Sequence, residues 1–270
     1  APIVAHLMGY HGTLGTNFVD YLIADEHTIR AGEEKLYDEK IIRLPGTCRP
    51  LDNTRKLPAM GQLRSGKDHV DFCAFAEPLL LGPQIFDAYM NILKQVPKSR
   101  LWLLDYGEIV RKHLLDQAKA RGIDADRLEF VGGTSPEDIS DRLQLSDVFL
   151  DAWPYTGHTF TSDALWLGVP AVTWAGRSFA ARVGASLLNA AGMPDLVAED
   201  AQSFQRLAAA LGTDAARLAT YRDRLLNNRA SIPLFDTRRF TGNLERAFEW
   251  IADRQRKGQA PEAHDVPRLH

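Results

Sequence analysis

Cysteine is scarce in this chain. Two residues in 270, Cys48 and Cys73, stand far apart and in no metal-ligand spacing. That excludes a disulfide framework and a cysteine-built zinc site, and makes reduced thiols in a cytoplasmic protein the expectation. No apolar run approaches the length of a membrane-spanning helix, and no charged region followed by an apolar core of signal-peptide type opens the chain. A dominant charge is lacking too: 32 Lys and Arg against 35 Asp and Glu leave a formal net charge of −3. Without a basic excess there is no broad attraction for nucleic acid or an anionic membrane, so any phosphate site must be local. There is no internal repeat, and the first residues are Ala1-Pro2-Ile3 with no Met, as in a processed protein or a fragment.

What is present suffices for a packed core, since 45% of the residues are hydrophobic and the length fits one large domain or two small ones. From Val70 onward, short apolar runs alternate with longer helical patterns. The runs at 70–75, 101–104, 128–131, 148–150, 171–174 and 196–198 read as strands, and 83–95, 108–121, 136–144, 161–167 and 180–191 as helices. Strand and helix alternating at this spacing predict an α/β domain with a Rossmann-like, doubly wound parallel sheet, in which ligands bind at the C-terminal strand ends. Upstream, 18–24 and 40–44 read as strands around a short helix near 32–37, too little to fold alone. The intended organisation is an N-terminal α/β remnant over 1–45, a linker over 46–69 marked by the Pro-, Gly- and Arg-rich stretch from Pro45 to Lys67, and a sheet domain over 70–240. A C-terminal helix over 241–257 and a mobile tail over 258–270 follow.

The stretch from Asp151 to Asp163 carries the most chemistry. A strand, Val148-Phe149-Leu150, runs into a small-polar turn and then an apolar helix. Gly157 allows close approach to the backbone, and Thr159, Thr161 and Ser162 supply hydroxyls where the first helical N–H groups lack intrahelical partners. A phosphate there would meet free donors and the positive end of the helix dipole. The plainer reading is a helix capped by Thr159 or Thr161.

The combination of Gly157-His158-Thr159 with Asp163, Trp166-Leu-Gly-Val-Pro170 and Ala180-Ala-Arg-Val-Gly-Ala-Ser186 resembles the catalytic C-terminal region of the O-GlcNAc transferase family, including its SPINDLY-type members. Further blocks agree in the same order. Gly9-Tyr-His-Gly-Thr-Leu-Gly15 resembles the family's Gly-Tyr-Pro-Gly-Thr-Ser-Gly loop, Asn91-Ile-Leu-Lys-Gln-Val-Pro97 with Leu101-Trp-Leu-Leu104 resembles a family helix and strand, and Pro233-Leu-Phe-Asp236 resembles the segment before its last helix. The resemblance spans nearly the whole chain. It implies the C-terminal half of a GT-B glycosyltransferase, which transfers a sugar, N-acetylglucosamine, from a UDP-sugar to Ser or Thr of an acceptor protein with inversion. It implies no metal or other cofactor, because a helix terminus and hydroxyls neutralise the leaving diphosphate. By family position, Gly157, His158, Thr159 and Thr161 face the diphosphate and Asp163 the ribose, Arg142 and Thr134 lie near the base, and Gly9, Tyr10 and His11 face the sugar. For Arg142 a solvated helix residue, and for His11 a solvent-facing loop residue, are the competing readings.

Departures from the family pattern matter as much. Where the family has a Lys that pairs with the diphosphate, this chain has Leu80, and a charged partner lost there should be costly. Ile139 stands for a His beside the uracil, and Phe160 for a Thr in the turn. The family's N-terminal Rossmann half, which carries the His residues often assigned to catalysis, is not in this sequence, so a companion segment or chain is expected to complete the cleft. No catalytic residue is assigned. A catalytically inactive domain serving as a binding or assembly module is the alternative.

Other residues read more plainly. Asp25-Glu26, Glu33-Glu34 and Asp38-Glu39 read as a solvated acidic face. Trp166 reads as core, while Trp153 is open to stacking on a ligand. Arg177 and Arg182, after the strand at 171–174, are candidates for the positive charge missing at Leu80.

Overall fold

The computed structural model describes residues 1–54, 68–132 and 136–268. Its larger sheet has six strands: β4 (Val70–Ala74), β5 (Ser99–Leu104), β6 (Leu128–Val131), β7 (Val148–Leu150), β8 (Ala171–Trp174) and β9 (Val197–Ala198). They lie in the order β6-β5-β4-β7-β8-β9, with every neighbouring pair parallel. The strands are short and mostly apolar because helices cover both faces, and their charged residues, Asp71, Arg100 and Glu129, each stand second in a strand. Phe72, Cys73, Leu101, Leu103, Val148, Phe149, Ala171 and Val172 are all buried. This is the doubly wound arrangement expected from the alternation, and its order reverses between β4 and β7.

The covering helices are α1 (Pro83–Gln95), α2 (Glu108–Ala120), α3 (Pro136–Leu145), α4 (His158–Trp166), α5 (Val183–Ala190), α6 (Ala201–Thr213) and α7 (Ala215–Asn227). Local chemistry fixes their ends. Pro83 opens α1, where the N–H it lacks would be unpaired anyway. The Asp200 carboxylate accepts from the Ser203 N–H in a capping box at the head of α6, and Asp214 caps α7 by accepting from the Arg217 N–H. Gly168, just past α4, has φ +76, and a Cβ there would lie 2.2 Å from a Leu226 methyl, so both conformation and packing require glycine.

The smaller sheet is built from β1 (Ala5–His6), β2 (Tyr21–Asp25), β3 (Lys40–Leu44) and β10 (His264–Asp265), in the order β1-β2-β3-β10 and parallel. Alternate residues of β2 and β3 serve two cores. Leu22, Ala24 and Ile41 join the core of the large sheet, whereas Tyr21, Ile23, Ile42 and Leu44 pack with Ala247 and Ile251 of the last helix, α8 (Thr237–Arg256). The C-terminal helix therefore returns to the N-terminal sheet. The tail then adds β10 to its edge, with Val266 N–H donating to the Arg43 carbonyl at 2.9 Å. Neither two-residue strand has a pattern a sequence could reveal.

Buried polar contacts join the two sheets. Asp25, fully buried at the end of β2, accepts from His27 and Thr28 N–H through Oδ1, and from Cys48 N–H (2.8 Å) and Ser186 Oγ (2.7 Å) through Oδ2. Arg182, 4% exposed, forms a two-pronged pair with Glu33, and Glu39, 2% exposed, accepts from Leu14 N–H. The acidic stretch is thus a solvated face only in part: Glu26 and Asp38 are exposed, whereas Asp25, Glu33 and Glu39 tie loops and helices together, and Glu34 pairs with Arg43. Their chain spacing resembles a surface pattern because the partners are remote in sequence. Neither cysteine forms a disulfide, and both are buried.

Candidate functional site

The reversal in strand order places the ends of β4 and β7 side by side, and a crevice outside such strand ends is where open α/β sheets hold ligands. From β7 the chain enters the loop 151–157 and then α4. Asp151, 0% exposed, organises this loop. Its Oδ1 accepts from Ala152 N–H (2.9 Å) and Gly157 N–H (2.5 Å), and its Oδ2 from Thr173 Oγ1 (2.7 Å). Its own carbonyl accepts from Tyr89 OH at 2.9 Å. Burial pushes the carboxyl up to about 6, against the pull of Thr173 and the backbone donors. On the far side of the loop, the Ala180 carbonyl accepts from Thr156 N–H (3.1 Å), Thr156 Oγ1 (2.8 Å) and His158 Nε2 (3.2 Å). The turn is clamped from β7, β8 and the segment before α5.

Helix α4 starts at His158, three residues before the 161–167 expected from the apolar pattern. The Gly157 carbonyl accepts from Thr161 N–H at 3.2 Å, so the amides of His158, Thr159 and Phe160 are the ones without intrahelical acceptors. Gly157 proves necessary for an internal reason: a Cβ there would lie 2.9 Å from Asp151 Oδ1 and 3.1 Å from Thr161 Oγ1, and its N–H is already taken by Asp151. Thr161 is fully buried, with its hydroxyl on the Asp151 side. Ser162 Oγ donates to the Thr159 carbonyl at 2.8 Å. Of the three hydroxyls read from the turn, Thr159 is the one on an exposed residue.

His158 is buried, and its Nε2 faces a carbonyl that can only accept, so the hydrogen sits on Nε2. Burial, reinforced by His11 and Arg49, lowers its pKa to about 3, so the ring is neutral at physiological pH. Around it stand His11, with ring centroids 4.2 Å apart, and Tyr155, at 4.6 Å. Tyr155 OH lies 3.3 Å from His11 Nδ1, and Phe179 packs on His11 at 5.4 Å. His11 is therefore not a solvent-facing loop residue. Its pKa is lowered, by burial first and then by Arg49 and His6.

Sequence reasoning missed Arg49. It follows β3 within the stretch read as a linker, and its Nη2 donates to Thr159 Oγ1 at 2.8 Å. Its base is held firmly: Cys48 N–H donates to Asp25, and Ser186 Oγ lies 2.9 Å from Thr47 Oγ1. Burial lowers the pKa of the guanidinium, with Asp163 opposing, and it stays a cation. Its Nε is buried with no hydrogen-bond partner. The only signal in the sequence was a lone Arg between Cys48 and Pro50.

The other candidates fall as follows. Asp163 lies one turn into α4, half-buried and within the field of Arg49. Arg142 is exposed in the last turn of α3. Thr134 lies outside the described residues. Gly9 and Tyr10 are exposed, with Tyr10 N–H donating to His6 Nε2 at 2.8 Å, and of this loop it is His11 that reaches His158. Leu80 ends a short turn after β4 and brings no charge to the crevice. Ile139 and Phe160 pack against the core, Phe160 edge-on to Phe75. Trp166 is core, and Trp153 stacks on Trp174 at 4.2 Å. Arg182 is committed to Glu33. Arg177 is exposed and lines a cavity of about 640 Å³ with Arg30, Trp153 and Trp174, a lining that includes neither His158 nor Thr159.

Comparison with known proteins places the chain in a family. The family model described as glycosyl transferase family 41 matches residues 51–244. The Arabidopsis thaliana protein named probable UDP-N-acetylglucosamine-peptide N-acetylglucosaminyltransferase SEC is 30% identical over 98% of this chain and 28% of its own length. The UDP-N-acetylglucosamine-peptide N-acetylglucosaminyltransferase of Caenorhabditis elegans is 36% identical over 74% of this chain and 17% of its own. Among solved structures, a mutant of the Thermobaculum terrenum O-GlcNAc transferase superposes with a TM-score of 0.84 at 30% identity, covering 92% of this chain and 48% of that one. Sucrose-phosphate synthase from Thermosynechococcus elongatus, at 15% identity and a TM-score of 0.59, shares the fold alone. The chain thus spans less than half the length of the O-GlcNAc transferases it matches.

Proposed function

This chain belongs to glycosyl transferase family 41, and from that premise we propose that it is the nucleotide-sugar-binding region of a protein O-GlcNAc transferase. The reaction is transfer of N-acetylglucosamine from a UDP-sugar to a Ser or Thr hydroxyl of an acceptor protein, with inversion at the anomeric carbon. The observation that carries this reading is the head of α4 at the switch point. Three amides, of His158, Thr159 and Phe160, have no intrahelical acceptor, and the exposed Thr159 carries the hydroxyl that meets Arg49.

In this reading the leaving diphosphate sits against those amides and the positive end of the helix dipole, which stabilise the charge that develops as the glycosidic bond breaks. Asp163, on the next turn, accepts from a ribose hydroxyl. His158 contributes its backbone N–H and a flat, uncharged wall; its ring proton is spent on the Ala180 carbonyl, so it adds no positive charge. His11 and Tyr155 close the sugar side. The arrangement calls for no metal ion, and a second Rossmann-like lobe, from a further segment or chain, completes the cleft and brings the acceptor. Attack by the hydroxyl then depends on orientation and on the stabilised diphosphate more than on a strong base.

Calorimetry with UDP and GDP on this chain tests the reading. UDP binding with discrimination against GDP, weakened in His158→Ala, supports it. Binding of neither nucleotide at millimolar concentration refutes it for this chain.

A further inference from the structure

Among the described residues, cations near the head of α4 are few. A diphosphate leaving group carries more negative charge than three amides and a hydroxyl can balance, and a charged partner in a partly desolvated crevice is worth more than a neutral donor. His158 and His11 are held neutral by burial. Leu80, at the end of β4, is apolar. Arg182 is locked to Glu33, and Arg177 lines a different cavity. That leaves Arg49 as the cation which, among the described residues, meets the exposed hydroxyl of the turn.

We infer that Arg49 supplies the positive charge for the diphosphate, reaching from the small sheet across to Thr159 and the α4 amides. This rests on the nucleotide-sugar reading of the same site. Its guanidinium is half-buried: Nη2 donates to the neutral Thr159 hydroxyl, Nε is buried with no hydrogen-bond partner, and the Asp163 carboxylate on the next turn of α4 supports its charge. A cation taken partly out of water, with one nitrogen lacking a partner, gains from an anion that arrives beside it. The planar fork can keep Thr159 on one nitrogen while another meets a phosphate oxygen. Positioning comes from Asp25, which holds the preceding amide of Cys48 and also Ser186 of α5. The inference gives this chain a source of charge where Leu80 offers none, and it makes the diphosphate seat a joint product of both sheets.

The test is UDP affinity by calorimetry for the chain, Arg49→Gln and Arg49→Lys, beside thermal melting of each without ligand. Losing one charge-assisted contact predicts weakening of about 10- to 100-fold in R49Q. R49K, which keeps the charge but not the fork, should fall between R49Q and the parent, and melting should stay near the parent's in both. Parent-like UDP affinity in R49Q overturns the role of Arg49 while leaving the nucleotide-sugar reading standing. A loss of affinity that tracks a matching loss of thermal stability, with R49K no better than R49Q, overturns it in favour of a structural tether. A parent chain that does not bind UDP overturns both.

Discussion

Replacing His158 with Asn isolates the titration of that ring. The folded state holds its pKa near 3, against the ordinary 6.5 that the unfolded chain returns to. For a base whose folded pKa is depressed, the unfolded state takes up a proton that the folded state refuses, so its contribution is fully present above 6.5 and is lost as pH falls toward 3. Each unit of pH below 6.5 costs about 1.4 kcal/mol, so between pH 7.5 and 4.5 the parent should lose about 2.7 kcal/mol relative to His158→Asn. Asp151 has the opposite sign: its carboxyl is raised to about 6, so its contribution is present below the unfolded value and lost as pH rises through 6. That effect is common to both proteins and cancels in the difference. Urea denaturation at half-unit steps from pH 4.5 to 7.5 reads the gap directly. A gap that stays constant over the window would mean that His158 titrates near its ordinary value, and the packing of its ring against His11, Tyr155 and the Ala180 carbonyl would be refuted.

Gly184→Ala should be among the costliest single-methyl additions, because the new Cβ would meet Asp151 Oδ2 at 2.2 Å and Thr173 Oγ1 at 2.4 Å. A loss of about 2–4 kcal/mol is expected in denaturant midpoints, and an unchanged midpoint would contradict the close packing of α5 on β8. Asp25→Ala strips acceptors from His27, Thr28, Cys48 and Ser186 together, at about 3–5 kcal/mol. It should also weaken UDP binding by loosening Arg49, which ligand titration at a temperature below melting will read. Glu33→Gln leaves the Arg182 guanidinium, 4% exposed, without its counter-charge. It should lower the melting midpoint by several degrees without changing UDP affinity, since the pair lies outside the α4 crevice.

The large sheet was legible in the sequence because each strand is a bounded apolar run and each covering helix keeps its period. The expected bounds at 128–131, 148–150 and 171–174 coincide with β6, β7 and β8. Misreadings cluster where polar side chains face partners far along the chain. Helix α4 begins at His158 and not Thr161 because Asp151 takes the Gly157 N–H and Ala180 takes the His158 ring, neither of which is a local signal. Helix α5 begins at Val183 and not near 180, since Ala180 lies in a turn where its carbonyl accepts from Thr156 and His158. The acidic residues of the small sheet looked like surface because Arg182, Leu14 and Ser186 are up to 161 positions away.

The same remoteness hid half of the candidate site. Gly157, His158, Thr159 and Asp163 fall within seven consecutive residues, and a strand-to-helix junction of small polar residues declares itself. What the junction lacks is positive charge: its histidine is neutral and its buried threonine faces inward. The charge comes from Arg49, whose placement depends on Asp25 at the end of a strand in the other sheet. Two buried carboxylates thus do parallel work on opposite walls of the crevice, Asp151 fixing the amides of α4 and Asp25 fixing the cation that faces them. A substitution at Leu80 need not abolish nucleotide binding in such a design, since the countercharge reaches the diphosphate from another wall. Loss of Arg49 or of its Asp25 anchor would weaken it even with the Gly157-His158-Thr159 turn intact.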